Sequence, residues 1–101
     1  MLRRNFRAEG GGEVDLVCRD GEVLAFVEVK TRRRRDFGDP RSAVNRKKQR
    51  LIIRGALEWL RLLDRPDLTF RFDIVEVVVE FGTTDIRVIE SAFHLPDVYR
   101  Y

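Results

Sequence analysis

Gly12-Glu13-Val14-Asp15-Leu16-Val17-Cys18-Arg19-Asp20-Gly21-Glu22-Val23-Leu24-Ala25-Phe26-Val27-Glu28-Val29-Lys30 consists of two apolar-rich runs around an Asp-Gly pair. That dipeptide between β-type runs is a strong hairpin signal, because both residues tolerate positive φ. With Asp20 and Gly21 as a two-residue loop, Arg19 pairs with Glu22, Val17 with Leu24, Asp15 with Phe26 and Glu13 with Glu28. Opposite residues, and neighbours two along, share a face of the sheet. Glu13, Asp15, Glu28 and Lys30 are therefore predicted on one face. Val14, Leu16, Cys18, Val23, Ala25, Val27 and Val29 take the other.

Three carboxylates within diagonal reach repel one another, and burial raises their pKa values unless a cation sits among them. Carboxylate oxygens beside a backbone carbonyl, here that of Val29, suit a hard divalent ion such as Mg²⁺. An ammonium next to that ion can orient an attacking water while the metal lowers the water's pKa. A lone Glu-x-Lys is common in exposed strands; an aspartate set on its face by a hairpin makes the pattern more specific.

Asp15 followed by Glu28-Val29-Lys30 resembles the PD-(D/E)xK signature of restriction-endonuclease-like nucleases. More narrowly, Gly12-Glu13-Val14-Asp15-Leu16-Val17, Phe26–Arg32, Phe37-Gly38, Lys48-Gln49 and Arg71-Phe72-Asp73-Ile74-Val75 resemble the bacterial YraN-like family of that superfamily. The resemblance covers nearly the whole chain. It implies a metal-dependent nuclease hydrolysing phosphodiester bonds of branched or single-stranded DNA in repair or recombination. Asp15 is the first acid and Glu28 with Lys30 the ExK half. Mg²⁺ or Mn²⁺ would be held by Asp15, Glu28 and the Val29 carbonyl, with Glu13 as an additional acid. The alternative is a module of the same fold that binds nucleic acid or a protein without turnover. Relatives of this kind carry a further helix, with one more acid, ahead of the segment matching Asn5-Phe6-Arg7. Either the true start of the chain lies upstream, or a second subunit, as in a homodimer, covers the sheet face left open.

Charge is distributed unevenly. Between Thr31 and Arg54 ten basic residues face two acidic ones, a local charge of +8 in a chain of net +3; the remainder carries −5. A basic block directly after an acidic site fits contact with a phosphate backbone, with Arg32, Arg33, Arg34, Arg35, Lys47 and Lys48 as candidates. The plainer reading of such a run is a solvated loop and helix face.

At 101 residues the chain reads as a single endonuclease-like domain over 1–101, with 92–101 as a tail. No apolar run approaches the roughly 20 residues of a membrane span, and Met1-Leu2-Arg3-Arg4 does not open a signal peptide. A cytoplasmic protein with no membrane partner is expected. The one cysteine, Cys18, falls on the apolar face and reads as a buried, inert thiol.

Leu2–Arg7 is a short candidate edge strand, and 8–12 a glycine-rich break that leaves Gly11 opposite Lys30. Gly38 and Pro40 interrupt the basic loop, and Ser42 is a plausible N-cap for a helix over Ala43–Leu63. Its apolar face comprises Val44, Leu51, Ile52, Gly55, Ala56, Trp59, Leu60, Leu62 and Leu63, which makes Trp59 core rather than a stacking platform. Lys48 falls on that same side. Either its stem snorkels past the sheet edge or its ammonium reaches the carboxylates. Leu68–Glu80 is a strongly β-prone strand, and Asp85–Glu90, or a little beyond, the last. Asp73 is explained by a pair with Arg71, and His94, the single histidine, by a structural or exposed role. Hairpin, crossover helix and strand form a β-α-β unit with the fourth strand parallel to the third. The expected fold is α/β: a small mixed β-sheet of about five strands with a long crossover helix, a restriction-endonuclease-like core lacking the usual N-terminal helix.

Overall fold

The computed structural model describes residues 1–33, 44–64 and 67–96. In chain order the elements are β1 (Arg3–Arg7), β2 (Glu13–Asp20), β3 (Val23–Arg33), α1 (Arg46–Leu62), β4 (Phe70–Glu80) and β5 (Thr83–Phe93). The strands form one sheet in the order β1-β2-β3-β4-β5, antiparallel except for the β3–β4 pair that α1 connects. This is the mixed five-stranded sheet and long crossover helix expected of a small restriction-endonuclease-like core.

The hairpin turns one residue later than the Asp-Gly reading has it. Asp20 pairs with Val23 and Val17 with Phe26, so Gly21 and Glu22 are the loop residues. Gly21 takes φ +61 at the first loop position, as a type II′ turn requires. Asp20 remains in the strand, where its carboxylate accepts from Arg71 Nη1 at 3.0 Å. The register is displaced by two, an even number, so face assignments survive along β3.

They do not survive along all of β2. Val14 and Val17 have opposite parity, yet both lie in the core. The β1–β2 partners are Arg3–Val17, Arg4–Leu16, Phe6–Val14 and Arg7–Glu13. Asn5, between them, holds φ +55. The irregularity sits opposite Asp15 and turns the start of β2 toward the helix.

α1 packs over the sheet face that carries Val17, Leu24, Phe26, Phe72 and Ile74, meeting them with Ile52, Ile53, Ala56 and Leu60. Each such side chain, fully buried, contributes roughly 1.5–3 kcal/mol. Ile53 joins this core, while Leu62 and Leu63 at the helix end are exposed, contrary to the expected stripe. Trp59 packs edge-on against Phe6 with ring centroids 5.2 Å apart. The helix begins later than expected. Its N-cap is Asn45, whose Oδ1 accepts from Lys48 N at 2.9 Å; Ser42 and Ala43 lie outside the described residues.

β5 continues a little beyond Glu90, to Phe93, where Asp73 bridges an irregularity in its pairing. The β4–β5 register shifts between Phe72 and Ile74. There Ser91, at φ +50, donates its N–H to Asp73 Oδ1 at 3.0 Å. Arg71 Nε donates to the same carboxylate at 2.9 and 3.1 Å. Phe93 then stacks on Phe72 with centroids 4.8 Å apart.

Val29, Val75, Val77, Val79, Ile86 and Val88 fall on the sheet face away from α1. Ile86 is 67% exposed and Val88 60% exposed. Cys18 is half-buried on this face rather than fully buried.

Candidate active site

The close approach of α1 to β2 assembles the site. A Cβ on Gly12 would lie 2.7 Å from Gly55 N, and one on Gly55 only 2.9 Å from Val14 Cγ2. Two glycines let backbone meet backbone here. Gly12 therefore serves helix packing, and Gly11 lies beside Arg54 rather than clearing space for Lys30. Lys48 is seven residues before Gly55, on the same side of the helix. Its ammonium is thereby brought down over the start of β2.

Lys48 Nζ lies 2.6 Å from Glu13 Oε1 and 3.6 Å from Glu28 Oε1. Of the two readings its position allowed, the side chain takes the one toward the carboxylates. The hydrogen bond from Lys48 holds the Glu13 carboxyl below the usual carboxylate range, and Glu13 in turn raises the Lys48 ammonium. Lys30 Nζ approaches the same Glu28 oxygen at 3.8 Å.

Glu28 is 3% exposed, and its Oε2 has no hydrogen-bond partner. Burial pushes its pKa up to about 7. The Asp15 charge adds to the rise, while Lys48 and Lys30 oppose it. Asp15 is held by an interaction that replaces a ladder bond: its Oδ2 accepts the Val29 N–H at 2.9 Å. The result is two adjoining carboxyls at the mouth of the core, one desolvated, with two ammoniums beside them.

The basic candidates divide. Arg32 shares the face of Lys30 and Glu28, and its Nε lies 2.9 Å from Glu76 Oε2. Arg33 falls on the opposite face, since successive strand residues alternate. Arg34 and Arg35 lie outside the described residues. Lys47 is exposed on the first turn of α1 and has no contact with the acids among those described. His94 is exposed at the end of β5.

Glu76 is a site residue that the sequence reading missed. It is 1% exposed, pairs in register with Lys30, and has Arg87 Nη1 at 3.9 Å as well as Arg32. Its signal was parity: Glu76 falls in the even-numbered series Phe72, Ile74, Val78, all of them core residues. A charge in that series needs partners across the sheet.

The donor set fits a hard cation in part. Among the described residues no three His, Cys, Asp or Glu side chains are grouped closely enough to hold a metal by themselves. Asp15 and Glu28 supply two carboxyls, and the buried Glu28 Oε2 lacks a partner. Mg²⁺ is commonly bound by one or two carboxylates, with waters and substrate phosphates completing its shell. No described helix is long and apolar enough to cross a membrane.

The family model described as "Uncharacterised protein family UPF0102" matches residues 1–77. A UPF0102 protein of Geobacter sulfurreducens is 48% identical over 96 residues, covering 94% of this chain and 74% of that protein. One from Geobacter metallireducens is 43% identical over 95 residues, covering 94% and 77%. One from Symbiobacterium thermophilum is 45% identical over 95 residues, covering 93% and 80%. The chain belongs to this family, which is the YraN-like family of bacterial proteins.

Proposed function

We propose that this protein hydrolyses DNA phosphodiester bonds with the help of Mg²⁺ or Mn²⁺, on branched or single-stranded DNA of the kind met in repair or recombination. The observation that carries this reading is the buried Glu28 carboxyl, its Oε2 unpartnered and two ammoniums at its Oε1, on the strand whose Val29 N–H holds the Asp15 carboxylate. Asp15, Glu28 and the Val29 carbonyl would hold the cation. A bound divalent ion lowers the pKa of an attacking water and offsets charge on the phosphoryl oxygens.

This chain's own residues do the rest. Lys30, half-exposed beside Glu28 Oε1, orients the attacking water and donates to a phosphate oxygen. Lys48, fixed by Glu13, meets the next phosphate; Glu13 is the outer acid that aims it. Glu76 holds Arg32 on the same face, so that its guanidinium charge stays near the scissile group. Lys47 and Arg33 contribute charge at the margins. The cytoplasm, where DNA and free Mg²⁺ meet, is the corresponding compartment. A second copy would cover the exposed Ile86 and Val88.

Cleavage of branched and single-stranded DNA with Mg²⁺ or Mn²⁺ tests this reading, with Asp15→Ala and Lys30→Ala as controls. Equal cleavage by wild type and both variants would refute it. One observation supports a second reading, a nucleic-acid-binding module without turnover. The Lys48 ammonium already lies between Glu13 and Glu28 and supplies positive charge where a cation would act. That reading expects salt-sensitive DNA binding that needs no metal and survives Glu28→Ala.

A further inference from the structure

The β4–β5 hairpin ends in Phe81-Gly82, and both residues have positive φ, +44 and +81. Glu80 pairs with Thr83 across them, and Thr83 Oγ1 donates to the Glu80 carbonyl at 2.6 Å. This is the backbone of a type I′ turn, whose first position belongs to Asn, Asp or Gly. A phenylalanine there works against its backbone preference. It gains nothing from burial in return, being 97% exposed. Neither local propensity nor core packing accounts for the ring. Backbone strain that the fold does not need clusters at binding sites.

The surroundings indicate what binds. Phe81, Val79, Glu80 and Arg33 line a cavity of about 310 Å³, at the small end of ligand-binding cavities. Arg33 ends β3 and opens the run Arg33-Arg34-Arg35. From Lys30 and Glu76, which are paired in register, Phe81 is five residues further along. At about 3.3 Å per residue that is roughly 16 Å along the strands; Arg33 and Val79 lie on the sheet face opposite Lys30 and Glu76, so a DNA strand leaving the acid cluster rounds the end of the sheet to reach Phe81.

We propose that Phe81 and Arg33 form a stacking site for an unpaired base of a single DNA strand, at the end of the sheet beyond the acid cluster. The inference rests on the DNA reading above and names the form of DNA that is preferred. An exposed aromatic ring accepts any base by its π-face. Arg33 brings positive charge to the adjacent phosphate and a plane that can also stack. Glu80 at the cavity wall disfavours a phosphate there and leaves the space to the base.

The test is binding of a fluorescein-labelled oligothymidine and a blunt duplex, both in EDTA, to wild type, Phe81→Asn and Phe81→Trp. Asn suits the turn, so Phe81→Asn should melt no lower than wild type. Its affinity for the single strand should fall about tenfold or more, with duplex binding unchanged. Phe81→Trp should keep the affinity, and its added indole fluorescence should be quenched by the oligothymidine. Wild-type affinity in Phe81→Asn would overturn the proposal, as would a wild-type dimer that this substitution dissociates. Because EDTA prevents cleavage, failure here leaves the hydrolytic reading to its own test with Asp15→Ala.

Discussion

Lys48 on α1 and Glu13 at the start of β2, thirty-five residues apart, meet at 2.6 Å directly above the buried Glu28. The contact is half-exposed, so its worth to stability is small, under about 1 kcal/mol. Its effect is positional. Glu13→Ala is expected to leave the denaturant midpoint nearly unchanged and to lower DNA cleavage about tenfold to a hundredfold, as displaced positioning groups do. Measuring both on one preparation separates position from stability.

Gly55→Ala sets two effects against each other. Alanine gains up to about 1 kcal/mol in helix propensity. Its Cβ, however, would lie 2.9 Å from Val14 Cγ2 and 3.0 Å from Glu13 N, and overpacking of this kind costs about 1–3 kcal/mol. The clash is against a strand backbone that cannot step aside, so a net loss of stability is expected, with weaker DNA binding as Lys48 moves off. A higher melting temperature would show that the contact is looser than described.

The raised pKa of Glu28 fixes the sign of a pH effect. Folded Glu28 keeps its proton up to about pH 7, against an ordinary value of 4.5. The native state therefore binds more protons than the unfolded chain between these values, and stability falls as pH rises through that window. Glu28→Gln removes the cost. Its stability should exceed that of wild type at pH 8 by about 3 kcal/mol, with the gap closing toward pH 5. Parallel urea titrations of both proteins at the two pH values provide the check.

Metal should act through the same carboxyl. Mn²⁺ at a hundred times its Kd is expected to stabilise wild type by about 2.7 kcal/mol, reversibly with EDTA. Asp15→Asn should show little of this, because one of the two adjoining carboxylates is gone. An identical thermal shift in the two proteins would place the cation elsewhere.

The exposed valines and isoleucine opposite α1 lead to a further expectation. If a second copy covers Ile86 and Val88, wild type sediments as a dimer at micromolar concentration and Ile86→Lys as a monomer. Ile86 is remote from the acids, so the substitution should leave metal binding as it was.

Much of the fold was legible because β periodicity is local. Alternation in 13–30 put Glu28 and Lys30 on one face, and displacing the register by two left that parity intact. The helix and the parallel fourth strand followed from apolar spacing and connectivity. The chosen turn was not legible: Asp20-Gly21 and Gly21-Glu22 both suit a two-residue loop, and the Arg71 contact to Asp20 comes from fifty-one residues away. The reversal of Val14 was likewise hidden, since it depends on Asn5 at φ +55 in a neighbouring strand.

The sequence alone determined that Glu28 and Lys30 share one sheet face, because side-chain direction in a strand follows from counting residues. Tertiary structure decided what stands over them. Lys48 reaches Glu13 only because Gly12 and Gly55 let two backbones touch, and Glu76 gains Arg32 and Arg87 from strands on either side of it. Close approach, desolvation and cross-strand pairing are properties of distance through space, which spacing along the chain does not encode.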